Sequence, residues 1–487
     1  WCYCDSQAKR MRTATLILAL FTVFVVTAWA NNPGLVARIT DKGIDYARVK
    51  GIQSLQKALT KIKIPDFTGK FRIKHFLKVH YSFYNIIIRN FQLPSSSITL
   101  VPGTGLKVSI QNAFIELNGQ WRVKMKIMRT HGSFRVNVKG LSASVGLKLG
   151  ADGSGRPTVS TFSCSSHISA VKVHISGRLS WLYKIFKKSI ESRLRKSLEN
   201  KMCSVIQKSI TEKLQPILQT LKVTAKVDKY AGINYSLVSP PTITSVSLDL
   251  GLKGEFFDLF HHVKIPFDAS ALNIPLGQNR MLYFGLSKYF FNSAGFIYHA
   301  VGALVKNITD DMIPKESKIR LNTTYFGLLI PQVYKILCNL YIYIYIYIYV
   351  PPPLNCSKET LKFTHQKRKD SSIILILPSE LLKMSTKIFK KNTSILAKIG
   401  VVDNRITAKV NLDRLQMTLK HSDVGTFSVS VLNIAINFCV SWILLPEVND
   451  LLAKGYPLPV MDHIKLSDIT IEPKQNFLLF GANVIYN

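Results

Sequence analysis

The order in which helical and strand-like periodicity alternate limits this chain most, because the same order occurs twice. Apolar positions at Leu35, Ile39, Ala47, Ile52, Leu55, Leu59 and Ile62 fall close to one face of a helix. Ile64 and Pro65 stop it, since proline cannot continue the hydrogen-bond ladder. From Phe71 to about Ile175, valine- and isoleucine-rich segments broken by glycine and proline predict a twisted antiparallel sheet. Helical spacing returns from Trp181 to Leu221, with Leu182, Phe186, Ile190, Leu194, Leu198, Met202, Val205, Ile210, Leu214 and Ile217 on one stripe and Pro216 placed to kink or end it. After the paired prolines of "SPPTITS" (Ser239 to Ser245) the order repeats. A helical stretch near Met281 to Lys306 leads to Ile313 and Pro314, then strands, then an apolar helix over about Val429 to Leu452. A repeat of this size predicts two similar domains, which 487 residues also favour over one core.

Charge narrows the partner. The formal net charge is +36, and residues 31–230 carry 35 Lys and Arg against 9 Asp and Glu, while residues 231–487 carry 26 against 18. Such a field calls for a polyanion: nucleic acid, an anionic lipid surface or a sulfated glycan. The stretch from Met11, "MRTATLILALFTVFVVTAWA", has a basic start, a short apolar run and an A-x-A site before Asn31, which reads as a secretory signal. The ten residues before Met11 read as upstream sequence. Sequons at Asn234, Asn307, Asn322, Asn355 and Asn392 fit a secreted, extracellular glycoprotein and make nucleic acid a poor partner.

Several strings then resemble one family. "VARITDKGIDYA" (Val36 to Ala47), "KIKIPDF" (Lys61 to Phe67), "HYSFYNIIIRNFQLPSSSI" (His80 to Ile98), "CSSHISAVKVHIS" (Cys164 to Ser176) and "NFLLFGANVIYN" (Asn476 to Asn487) look like the bactericidal permeability-increasing protein and lipopolysaccharide-binding protein family. The resemblance implies an α+β fold: an elongated boomerang of two barrels, each a twisted antiparallel sheet wrapped around a long helix, joined by a central sheet. It divides the chain into upstream residues and signal (1–30), a basic N-terminal barrel (31–230), a proline-containing linker with central-sheet strands (231–265) and a C-terminal barrel (266–487). It also implies a phospholipid in an apolar pocket of each barrel, lipid A as ligand of the basic barrel, and a disulfide between Cys164 and Cys203. Closing such a loop contributes roughly 3–4 kcal/mol.

The sharpest local motif is "WRVKMKIMR", Trp121 to Arg129. In a strand Arg122, Lys124 and Lys126 point one way, while Trp121, Val123, Met125 and Ile127 pack on the barrel or touch acyl chains. That arrangement suits lipid A, a diphosphorylated, acylated disaccharide. Lys57, Lys61, Lys63, Lys70, Arg72, Lys74 and Lys78 form a second basic cluster. Arg178, Lys184, Lys187 and Lys188, beside Trp181 and Phe186, form a third, with Trp121, Trp181 and Phe186 as interfacial anchors. The chain has no H-E-x-x-H, G-x-S-x-G, C-x-x-C or P-loop pattern, so neither an enzyme, a catalytic cofactor nor a metal is expected. His167 and His174, seven apart, are placed on opposite faces of a strand and so do not share a metal.

The reading is a secreted, antibacterial monomer of innate immunity that binds lipopolysaccharide on Gram-negative bacteria and perturbs their outer membrane by displacing the divalent cations that bridge lipid phosphates. A carrier that transfers lipopolysaccharide or phospholipid without killing is the alternative, and a heparin- or nucleic-acid-binding module a third. Storage in granules is compatible with either of the first two.

The resemblance lapses between about Asn339 and Asn392, an interval that opens on "LYIYIYIYIYV" (Leu340 to Val350). The codons ATA and TAT encode Ile and Tyr, so an AT repeat read in any frame yields this string. Residues 340–391 are therefore read as an aberrant, intron-like segment. Full-length transcript sequencing is expected to return a message without it; a message that reads through the repeat overturns the reading.

Overall fold

The computed structural model describes residues 32–486, apart from 60–62, 65, 74–76, 126–128, 177–179, 262, 277–278, 304, 322–324, 326–342, 348–353, 358–359, 365–371, 377–385, 422–428 and 462. The signal segment and most of 340–391 lie outside this set. The N-terminal half runs β1 (Leu35–Thr40), α1 (Asp41–Leu59), β2 (Lys63–Ile64), β3 (Phe67–Ile73), β4 (Leu77–Gln92), β5 (Ser95–Val101), β6 (Gly105–Lys124), β7 (Arg129–Ala151) and β8 (Pro157–Ile175). A long helix follows without a break: α2 (Ser180–Ser209), a π turn (Ile210–Leu214) and α3 (Gln215–Gln219). Next come β9 (Thr224–Lys226), β10 (Ala231–Asn234), β11 (Thr242–Ile243), β12 (Ser247–Leu252) and β13 (Glu255–Asp258).

The C-terminal half repeats the plan with β14 (Leu282–Ser287), α4 (Lys288–Ala300), β15 (Val305–Ile308), β16 (Tyr343–Tyr347), β17 (Leu354–Ser357), β18 (Thr360–Thr364) and β19 (Ser372–Ile376). β20 (Thr386–Val402) and β21 (Arg405–His421) lead to α5 (Val429–Cys439), a π turn (Val440–Leu444) and α6 (Leu445–Lys454). β22 (Tyr456–Pro457), β23 (Ile464–Lys474) and β24 (Phe477–Tyr486) close the chain. In both long helices the π turn directly precedes a Pro-containing turn, at Pro216 and Pro446. Pro216 therefore neither ends the helix nor acts alone, because the wider turn relieves the clash a proline ring makes with the preceding turn.

The two halves meet in one central sheet of order β11-β12-β1-β14-β24-β23. The first half supplies β11, β12 and β1, the second supplies β23, β24 and β14, and β1 pairs antiparallel with β14 from Leu35↔Leu286 to Ile39↔Leu282. The helices predicted over 35–62 and 281–306 are corrected here in the same way. Each opens as a strand, β1 or β14, and turns helical only at Asp41 or Lys288. Burial on both sides of the central sheet overrides helical spacing in the short runs "LVARIT" and "LYFGLS". Ser287 caps α4, its hydroxyl accepting from the Phe290 N–H. The central sheet thus draws on segments predicted as parts of the two barrels, while β10 and β13 join β9 in a separate three-stranded sheet.

The N-terminal sheet has the order β2-β4-β6-β7-β8, with β3 also paired to β4 and β5 to β6. It wraps α2, whose Leu194, Leu198 and Met202 pack on a core of Phe83, Leu117, Trp121, Phe134, Val136 and Ile168. Each large side chain buried this way contributes about 1.5–3 kcal/mol. The stripe continues through Ile206 and Ile210, which meet Val145 and Val159. Val205, Leu214 and Ile217, predicted on the stripe, are instead exposed. A crease crosses the sheet where Asn112 and Gly140 take positive φ and the β6–β7 register slips between Ile110 and Ala113. Alternation changes phase there, so Val138 and Leu141 are both buried, as are Ile168 and Val171. His167 and His174 consequently both face solvent, contrary to their predicted placement on opposite faces.

β8 is an edge strand, and the long helix covers it. Glu191 accepts from the Val173 N–H at 2.9 Å, Glu199 from Ile168 at 2.7 Å and Gln215 from Val159 at 2.7 Å. The Cys164–Cys203 disulfide joins the same pair of elements, with Cα atoms 5.8 Å apart. In the C-terminal half Asn449 of α6 likewise both accepts from and donates to the backbone of Val410 in β21. Inside the central sheet, Arg38 of β1 makes a two-pronged ion pair with Asp249 of β12, at 2.8 and 2.6 Å. Its remaining amino group donates to the carbonyls of Ile274 and Pro275. Removing one partner of a buried pair strands the other charge. Arg38→Leu is expected to lower stability by about 3–5 kcal/mol in denaturant unfolding, and Arg38→Leu with Asp249→Leu to recover a large part of that loss.

Candidate functional site

Strand register assembles the site. Lys70 of β3 stands opposite His80 of β4, His80 opposite Lys124 of β6, and Lys124 opposite Arg129 of β7. Four neighbouring strands therefore carry one cross-strand row, and three strand spacings give it a width of roughly 14 Å. Beside it runs Ser82, Arg122 and His131, also directly paired, and on the other side Arg72 opposite Lys78. Lys70, Lys78, His80, Arg122, Lys124, Arg129 and His131 are all exposed. The Arg122 guanidinium lies 5.4 Å from the ring centroid of Tyr84, which fixes its reach. Like charges directly opposite one another weaken a sheet, so the rows are poised to gain from any anion laid across them.

Six of the nine acids in residues 31–230 are engaged elsewhere. Asp45 pairs with Arg48, Glu116 with Arg135, and Glu212 with Lys208. Glu191 and Glu199 cap β8, and Asp152 is held well below the usual carboxylate range, at about 2, by the Ser154 hydroxyl and the Arg156 and Ser154 N–H groups. These six carboxylates tie helix to strand and turn to turn, and so do not compensate the cationic rows.

Of the residues singled out from sequence, Lys70, Arg72, Lys78, Arg122, Lys124 and Arg129 come together. Lys63 pairs with Ile87 farther along β4. Lys57 lies in the last turn of α1, while Trp181, Lys184, Lys187 and Lys188 belong to α2, with Lys187 and Lys188 exposed. Lys61, Lys74, Lys126 and Arg178 lie outside the described residues. Trp121 is not a free interfacial anchor. It is only 4% exposed, and its indole N–H donates to the Ser176 carbonyl at 3.0 Å. Gly132 stands opposite it, where a Cβ would run into that same carbonyl. His80 and His131 were not singled out; only register, set by tertiary pairing, brings them between the cations.

Among the described residues, no group of three or more His, Cys, Asp or Glu is arranged to hold a metal. His167 sits 3.5 Å from Glu199, and burial pushes the Cys439 thiol up to about 11, out of nucleophilic range. Of the sequons, Asn234 is half-buried in β10, its side-chain oxygen accepting from the Ser236 N–H, and Asn307, Asn355 and Asn392 lie in strands. Asn322 lies outside the described residues. A cavity of about 810 Å³ opens between Phe267, Leu272, Asn292 and Phe477, with Asp268 and Lys288 on its wall, a lining too polar for an acyl chain.

A curled antiparallel sheet wrapped on a long helix, the plan repeated and the halves sharing one sheet, defines a two-domain α+β protein with a cationic face. Residues 43–221 match the N-terminal domain of the LBP / BPI / CETP family, and residues 225–486 match its C-terminal domain. The chain belongs to that family. It is 40% identical to the lipopolysaccharide-binding protein of Mus musculus, over 96% of this chain and 97% of the relative. It is 38% identical to the bactericidal permeability-increasing protein of Sebastes schlegelii, over 96% and 98%. A crystal structure of lipopolysaccharide binding protein matches with a TM-score of 0.63 at 40% identity, covering 93% of this chain and 99% of that one.

The two sides of β6 predict different phenotypes. Trp121→Ala is expected to lower stability by about 3–5 kcal/mol in thermal or denaturant unfolding. Arg122→Ala with Lys124→Ala is expected to leave the unfolding midpoint within the range of surface substitutions while weakening attachment to anionic vesicles in a salt-dependent way.

Proposed function

We propose that this protein binds the lipid A part of lipopolysaccharide on Gram-negative bacteria through the cationic rows of its N-terminal sheet and perturbs the outer membrane. The observation that carries this is the direct cross-strand register of Lys70, His80, Lys124 and Arg129, beside Arg122, with no described acid in either row. Each cation near an anionic membrane is worth on the order of 1 kcal/mol, so the rows act as one salt-sensitive surface. They stand in for the divalent cations that bridge lipid phosphates. Names of close relatives, lipopolysaccharide-binding protein and bactericidal permeability-increasing protein, point to the same ligand.

Transfer without killing is the second reading, favoured by 39–40% identity to relatives named lipopolysaccharide-binding protein. In both readings a phospholipid occupies an apolar pocket of each domain. Exposed apolar side chains along the two long helices, Val205, Leu214 and Ile217 in one and Ile434 and Trp442 in the other, support this. Both readings also take the protein to be secreted after removal of its leader, glycosylated, monomeric, non-catalytic and without a nucleic-acid partner.

Titration with lipid A vesicles across salt concentration, run beside bacterial killing and vesicle-to-vesicle lipid transfer, tests these readings. Binding that weakens with salt, together with killing, is the expected result. Transfer without killing selects the carrier, and no binding at low salt overturns both.

A further inference from the structure

Two imidazoles stand inside rows that are otherwise permanently cationic. His80 is flanked by Lys70 on β3 and Lys124 on β6, with Lys78 and Ser82 on its own strand and Arg122 diagonal to it. His131 is opposite Arg122 on β6, with Lys124 and Gln120 diagonal and Arg129 and Ser133 on its own strand. On its other side β8 begins to pair with β7 only at Phe134↔Ile175, short of His131. The described acids on this face lie outside both rows. Asp66 precedes the β3 residue Thr68, which pairs with Ser82, and Glu116 is held by Arg135 at 3.1 Å. Both imidazoles are exposed, so both can touch what the lysines touch.

Histidine is the side chain whose charge ordinarily changes between about pH 5 and 8. A proton taken up by either imidazole adds a cation to the middle of the rows and a second N–H donor for a phosphate oxygen. Contact with an anion favours that protonated form, and by linkage protonation favours the contact. The sign follows: attachment strengthens as pH falls, and protons are taken up on binding.

Building on the reading of these rows as the anion site, we infer that His80 and His131 are anion-binding residues that tighten the protein's grip on a phosphate-bearing lipid surface in mildly acidic surroundings. Phosphatidylglycerol in phosphatidylcholine vesicles is the probe, because its phosphodiester keeps one charge across the range, whereas a phosphomonoester titrates near pH 6 and would obscure the effect. The full chain is titrated at about pH 7.5 and about pH 5.5, the range in which histidine changes charge. Each added cation strengthens attachment about fivefold, so the wild-type protein is expected to bind at least about tenfold tighter at the lower pH. His80→Asn with His131→Asn is expected to bring the ratio of the two affinities close to one. His80→Lys with His131→Lys, which makes the charge permanent, is expected to do the same. His167→Asn, altering an imidazole paired with Glu199 on the far side of the crease, is expected to retain the wild-type ratio. A wild-type protein that binds equally at both pH values, or an asparagine double variant that keeps the rise, overturns the inference while leaving the anion site standing. No attachment at either pH overturns both.

Discussion

The pairing of β1 with β14 is the constraint on which the rest of the structure depends. It places a strand from the start of each half side by side, so neither half completes its share of the central sheet without the other. Arg38 secures the junction from within. Its guanidinium binds Asp249 on β12 and also the carbonyls of Ile274 and Pro275, tying two strands and a crossing loop to one planar group. A lysine could not make the same two-pronged contact while holding both carbonyls. Ile274 then packs with Val36, Tyr283 and Leu479, so the loop is pinned on the face of the sheet that the ion pair orders.

The same economy of acids explains how a basic half can be both stable and attractive to anions. Edge strands invite unwanted pairing, and here β8 is closed by Glu191, Glu199, Gln215 and the Cys164–Cys203 disulfide from the long helix. Carboxylates spent on backbone N–H groups and on Arg48, Arg135 and Lys208 are not available to neutralise Lys70, Arg122, Lys124 or Arg129. Structural closure at one edge of the sheet and an uncompensated field near its other end therefore have one cause. The crease at Asn112 and Gly140 separates the rows from the contacts of Glu199, Gln215 and the disulfide, letting long strands bend around the helix while their alternation changes phase.

Much of this was legible in the sequence, and the misses have physical reasons. The doubled order of elements, the long helices, the basic first half and the outward set of "WRVKMKIMR" follow from periodicity and composition alone, because a side chain's face in a regular strand depends only on its position. "LVARIT" and "LYFGLS" carry helical spacing as well as strand spacing, because short apolar runs fit either period until burial on two faces decides for a strand. Val205 left the apolar stripe because Ile206 and Ile210 follow the helix as it packs, not as an ideal wheel draws it. Trp121 sits on the predicted inner face, yet its closure by Ser176 and the space given by Gly132 come from neighbours 55 and 11 positions away in the chain.

The sequence by itself determined the twofold plan, the family and the sign of the field, since each is a property of residue types and their spacing. Only the tertiary structure decided which cations stand together. Lys70, His80, Lys124 and Arg129 are separated by loops of unequal length, and the register that aligns them is set by core packing on the opposite face of the same strands. A slip of one residue would turn each of those side chains inward, and burial of Phe83, Trp121 and Phe134 is what forbids it.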